Sequence, residues 1–196
     1  MEHIINYIEE LKKTIDKLPL LNVKKAIELI FNAYTNDKQI FVIGNGGSAS
    51  TASHFACDLN KGTLQRVYDD NEKRLRVISM TDNVSLLTAY GNDLSYEDIF
   101  SQQLRNLINK GDLLIAITGS GNSKNILKGI ETAKKAGATV LGMLGFEGGK
   151  AKNIVDYHII VPSSHYGQIE DSHMVLTHLI SSYLSKIKSE KEKIEV

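Results

Sequence analysis

The chain predicts an α/β fold: a three-layer sandwich around a five-stranded, mostly parallel sheet, with an N-terminal helical hairpin. Two observations predict it. Short apolar runs recur along the chain, and each gives way to a polar loop followed by apolar residues at helical spacing. Strands that alternate with helices of ten or more residues build parallel sheets, because each parallel connection needs a crossover. The 196 residues are 42% hydrophobic and 23% charged, the balance of one soluble domain able to bury a core without disulfide or metal staples.

Ile4, Ile5, Ile8, Leu11, Ile15 and Leu18 lie three and four apart, and Val23 to Tyr34 repeats the pattern, so two amphipathic helices come first. QIFVI (39–43) is a strand that stops at Gly44, and a helix follows from about Ser48. The unit recurs at RVISM (76–80) before NVSLLTAYG, at DLLIAI (112–117) before NSKNILKGIETAKKAG, and at TVLGML (139–144) before GGKAKNI. YHIIV is the fifth strand and ends at Pro162. Ile169, Val175, Leu176, Leu179, Ile180, Tyr183 and Leu184 mark a long closing helix from Gln168 to about Lys188, and the charged tail KIKSEKEKIEV is expected to fray. We expect one domain over residues 1–196, with the hairpin over 1–36 and the α/β core over 37–196.

Lys+Arg and Asp+Glu are both 23, so the net charge is zero and no global field attracts nucleic acid or an anionic membrane. Apolar runs are too short to span a bilayer, and the first 20 residues mix charges into the apolar pattern, unlike a signal peptide. The single cysteine, Cys57, fits a reducing, cytoplasmic setting. Two amphipathic helices leading a neutral chain are expected to bury apolar faces across subunits, in a tetramer with dihedral symmetry.

Two loops carry candidate chemistry. GNGGSAST (44–51) offers Asn45, Ser48 and Ser50 around backbone that a ligand can approach closely, and TGSGNS (118–123) offers Thr118, Ser120 and Ser123 where a helix begins. Hydroxyls with helix N–H groups suit a phosphate monoester, although Gly and Ser also simply make turns and caps. Neither loop has the G-K-[ST] ending of a triphosphate loop. Gly44, Gly46 and Ala49 match G-x-G-x-x-A, but the stretch about 20 residues on is a loop, without the strand-end acid a dinucleotide site requires.

The second constellation is His54 with Asp58, four apart on one helix face, and Glu170 with His178, eight apart on another. One imidazole and one carboxylate from each helix can bind a divalent metal such as zinc or act as general acid and base; the bland alternative is a pair of core histidines with solvated carboxylates. His173 lies off the shared face and is read as structural, and Cys57 as packing.

GNGGSASTASHFACDLNKG, YGND (90–93), ITGSGNSKNIL and QIEDSHMVLTHLI, in this order, resemble the sugar isomerase (SIS) domain, a flavodoxin-like fold, and within it the phosphoheptose isomerase family. That family interconverts sedoheptulose 7-phosphate and D-glycero-D-manno-heptose 7-phosphate for lipopolysaccharide or capsule biosynthesis. The resemblance implies a homotetramer with zinc. It implies that Asn45, Ser48 and the backbone of Gly46 and Gly47 hold sugar or phosphate, that Thr118, Gly119, Ser120 and Ser123 hold phosphate, and that Asp93 meets a substrate hydroxyl. It puts the metal on His54, Asp58, Glu170 and His178. Asp58 is then the first candidate base, Glu170 the second, and His178 the acid. Three residues depart from the family's usual ones: Asp58 replaces Glu, Glu170 replaces Gln, and Gly167 replaces Asp. A non-catalytic SIS-domain sensor or scaffold is the alternative function.

Overall fold

The computed structural model describes residues 1–192. Helices α1 (Glu2–Asp16) and α2 (Leu20–Thr35) lead into strand β1 (Gln39–Gly44), and α3 (Gly47–Cys57) continues through one π-helical stretch, Asp58–Gly62. β2 (Arg76–Ser79), α4 (Val84–Asp93), α5 (Ile99–Leu107), β3 (Leu113–Thr118), α6 (Lys124–Lys135), β4 (Thr139–Leu144) and β5 (Tyr157–Ile160) follow, and α7 (Tyr166–Glu192) closes the fold. The five strands are parallel in the order β2-β1-β3-β4-β5. This is the fold expected from the sequence.

Side chains of a strand alternate between faces, and both faces of this sheet are covered. Ile40 and Val42 of β1 pack with Ile115, Ile117 and Met143 under α2, α3 and α7. Phe41 and Ile43 point the other way, with Leu114, Ala116 and Val140 under α5 and α6. β3 is central and buried along its whole length, which is why LLIAIT is continuously apolar instead of alternating.

Three local expectations need correction. GGKAKNI forms only a single 3-10 turn at Ala151–Asn153, because the glycine-rich chain before it braces a neighbouring loop: Gly145 N–H donates to the Gly119 carbonyl (3.0 Å) and Ala151 N–H to the Gly121 carbonyl (2.9 Å). The described part of the charged tail is helical, and Lys188 within it is 1% exposed. Its ammonium donates to the Thr63 carbonyl (3.1 Å), lies 3.8 Å from the Glu72 carboxylate, and sits 5.0 Å from the centre of the Tyr34 ring. Burial pushes the Glu72 carboxyl up, yet the N–H groups of Gln65 and Arg66 and the Lys188 charge together hold it below the ordinary carboxylate value. Residues 193–196 lie outside the described residues. Cys57, expected to pack, is exposed.

Candidate active site

In a 2-1-3-4-5 sheet the crossovers change faces between the first and third strands, and ligands bind beyond the strand ends at that switch point. Here α3 leaves β1 toward one face and α6 leaves β3 toward the other, so the two glycine- and hydroxyl-rich loops meet across the opening. They line a cavity of about 170 Å³ with Asn45, Ser48, Thr118, Gly119, Ser120 and Ser123, closed by Tyr166 and Glu170 of α7. Tyr166 stacks edge-on against Phe146 with ring centres 4.8 Å apart. Gly46 adopts φ 54°, a left-handed conformation that turns the chain sharply into α3 and points the helix N-terminus at the cavity.

The polar groups in this cavity are largely held by their own loops. Thr118 Oγ1 accepts from Gly121 N–H (3.2 Å) and Ser120 Oγ accepts from Asn122 N–H (3.2 Å). Ser123 stands at the N-cap of α6 without donating or accepting a capping bond there, which leaves its hydroxyl for a ligand. Asn45 and the buried Asn125 exchange amide hydrogen bonds of 2.8 Å in both directions, and Tyr96 donates its hydroxyl to Asn45 Oδ1 (3.2 Å).

Further along the strip between α3 and α7 lie the imidazoles. His54 Nε2 is 2.8 Å from His178 Nε2, and Asp58 Oδ2 is 3.3 Å from the first and 3.8 Å from the second. The three donor atoms lie within 4.8 Å of one another, and Asp58 Oδ2 is buried without a hydrogen-bond partner. A buried carboxylate oxygen facing two imidazoles is costly unless a cation or a proton completes it.

The four-residue spacing of His54 and Asp58 therefore does put them on one face, and α7 brings His178 to them. Glu170 is not brought into this group. It shares a helix face with His178 but stands two turns earlier, about 12 Å along the axis at 1.5 Å per residue. Its carboxylate lies over the N-terminus of α3, where a methyl group on Gly47 would come 2.7 Å from Glu170 Oε1. Asp93 is exposed at the end of α4, bonded to Asn92 (2.9 Å), and does not line the cavity. His173 is buried with Nε2 3.2 Å from the Leu144 carbonyl, a structural position as read. Tyr166, Tyr96 and Asn125 were missed from the sequence; Asn125 carries a usable signal, a polar residue in the first turn of the helix that the second loop opens.

The SIS domain family model matches residues 3–145. A phosphoheptose isomerase of Helicobacter pylori strain P12 is 39% identical over 178 residues, covering 91% of this chain and 90% of its own. One from Aneurinibacillus thermoaerophilus is also 39% identical, covering 91% of this chain and 83% of its own. The solved structure of phosphoheptose isomerase from Neisseria gonorrhoeae superimposes with a TM-score of 0.86 at 29% identity, over 94% of this chain and 98% of that one.

Proposed function

Because the chain belongs to the SIS domain family and, within it, to the phosphoheptose isomerases, we infer that it is an aldose-ketose isomerase that converts sedoheptulose 7-phosphate to D-glycero-D-manno-heptose 7-phosphate. The observation that carries the reading is the spacing of the two halves of the strip. A phosphate in the hydroxyl cavity leaves the far end of the sugar to reach the imidazoles. Ser48 and His54 are six residues apart on α3, about 9 Å. A seven-carbon chain with a terminal phosphate, a zigzag of bonds each about 1.5 Å long, spans on the order of 10 Å.

We assign the phosphate to Thr118, Gly119, Ser120 and Ser123 with the N-terminus of α6, and sugar oxygens to Asn45, Ser48, Gly46, Gly47 and Glu170. Asp58 takes a proton from C1 of the ketose and returns it to C2 of the cis-enediol. His178 gives a proton to the oxygen on C2 and recovers the one leaving the oxygen on C1, so the reaction is proton-neutral. Binding energy at the phosphate end holds the reacting carbons against these groups. Asp93, exposed on the single chain, belongs to this reading only if a neighbouring subunit's site receives it.

A zinc ion fits His54, Asp58 and His178. Zinc holds its ligand atoms at about 2 Å in a tetrahedron, which separates them by about 3.3 Å, and the three donor atoms here stand 2.8, 3.3 and 3.8 Å apart. Bound there, it would polarise the sugar carbonyl and stabilise the charge of the enediolate oxygen. A homotetramer accounts for the exposed Ile4, Ile5, Ile8, Leu20 and Leu21 of the leading helices. No described helix is long and apolar enough to cross a membrane; a cytoplasmic setting is supported by the lone Cys57. A sensor or scaffold is not favoured, since it has no use for two imidazoles and a carboxylate gathered beside a phosphate cavity.

The test is proton NMR of sedoheptulose 7-phosphate with the purified protein. New aldose signals are expected, with turnover lost in His178→Ala. Their absence at high enzyme concentration, with and without zinc, would refute the reading.

A further inference from the structure

Asn125 lies in the first turn of α6, 2% exposed, outside the cavity and behind Asn45. An amide oxygen and nitrogen are not told apart by shape, but here the backbone decides. Ile126 N–H can only donate, and it faces Asn125 Oδ1 at 3.0 Å. The atom of Asn45 that meets the same oxygen at 2.8 Å is therefore its NH2, and the Asn45 carbonyl must face the Asn125 NH2, also at 2.8 Å.

That orientation settles what Asn45 has left to give. Its Oδ1 has two lone pairs, one taken by Asn125 and the other by the Tyr96 hydroxyl at 3.2 Å. One of its two amide protons is committed to Asn125. A single N–H remains for the cavity. The segment that carries Tyr96 is fastened to the same helix by Lys124 to Glu97 (2.8 Å) and Lys128 to Asp98 (2.9 Å), so carbonyl and hydroxyl are held together. Hydrogen bonds to Ser95 and Lys128 also hold the Asp98 carboxyl below its ordinary value, in keeping with an ionised partner.

We propose that Asn125 is a positioning residue that makes Asn45 a donor-only contact, aimed at an acceptor oxygen of the phosphosugar, and that it ties the loop after β1 to the loop after β3. The proposal rests on the reading that this cavity takes the sugar phosphate. It assigns the ligand atom opposite Asn45 a lone pair: a phosphate oxygen, a carbonyl, or a hydroxyl whose proton points elsewhere. An unpositioned Asn45 can turn its carbonyl toward that oxygen and lose the hydrogen bond while every cavity residue is still present.

The experiment is a double-mutant cycle on the full-length protein: wild type, Asn45→Ala, Asn125→Ala and both together. Turnover of sedoheptulose 7-phosphate, its calorimetric Kd and the thermal midpoint are measured for each. Asn125→Ala is expected to raise Kd and KM about 10-fold with kcat within about twofold, the size of one hydrogen bond to a charged group. In the Asn45→Ala background the same change is expected to add nothing. An equal rise in both backgrounds overturns the proposal, as does a folded Asn125→Ala protein with unchanged Kd. If Asn125→Ala does not fold, Asn125→Asp decides. It still accepts from Ile126 and from Asn45 but sets an oxygen against the Asn45 carbonyl, so Kd must rise; an unchanged Kd overturns the proposal. A wild-type protein that binds the sugar without converting it refutes the isomerase reading while the cycle on Kd still judges Asn125. A wild-type protein that does not bind it overturns both.

Discussion

Acidification should unfold this protein partly through one side chain, His173. Its ring is buried under the end of β4, and Nε2 must carry the hydrogen because its partner, the Leu144 carbonyl at 3.2 Å, only accepts. Nδ1 is buried with no partner, so a proton placed there would have no acceptor. Burial pushes the imidazole down to about 4, against the opposing pull of the Leu144 carbonyl. The ordinary value is about 6.5, so the unfolded chain takes up the proton first as pH falls. The contribution of neutral His173 is therefore complete above about pH 6.5 and is lost progressively down to about pH 4. At about pH 5 the two values differ in proton uptake by about 2 kcal/mol, out of a full difference of about 3 kcal/mol. The comparison variant is His173→Gln, whose amide can still donate to the Leu144 carbonyl but does not titrate. Urea unfolding of both proteins from about pH 7.5 to 5 isolates the effect, since all other titrating groups are common to the two. Wild type should lose about 2 kcal/mol relative to the variant over that range. A difference that stays flat within about 0.5 kcal/mol would show that His173 is reached by water or relaxes to accept its proton.

Lys188→Met, which takes the ammonium away from the buried Glu72 carboxylate and the donor away from the Thr63 carbonyl, should cost on the order of 3 kcal/mol in urea unfolding. Adding Glu72→Gln, which removes the buried charge but keeps only one of the two oxygens that accept from the Gln65 and Arg66 N–H groups, should recover part of that loss. The exposed faces of α1 and α2 predict four copies by light scattering; Ile5→Lys with Leu21→Lys should yield smaller species, and an unchanged mass would move the interface elsewhere.

The strands were legible because a parallel sheet covered on both faces leaves no solvent side, so each strand reads as an apolar run between loop signals. His54 and Asp58 were legible from helical spacing alone. Spacing failed where distance along the axis mattered: Glu170 and His178 share a face, yet two turns set one over the hydroxyl-lined cavity and the other beside His54. It failed again at Lys188, one lysine in a charged tail, whose burial depends on Thr63 and Glu72 more than a hundred residues earlier. The short helix α5 was hidden because its polar residues, Ser101, Gln102, Gln103, Arg105 and Asn106, outnumber the buried Ile99, Phe100 and Leu104.

His54 and His178 are 124 positions apart, and the helix that carries the second is made after every other described element. Until α7 docks, Ile115, Ile117 and Met143 lack part of their cover and the two imidazoles have never met. Synthesis therefore proceeds with one sheet face only partly covered, by α2 and α3, and the rest of that core layer and the paired imidazoles arrive in a single event. A truncated chain that stops short of α7 is accordingly expected to be both sticky and inert, with no partly competent enzyme along the way.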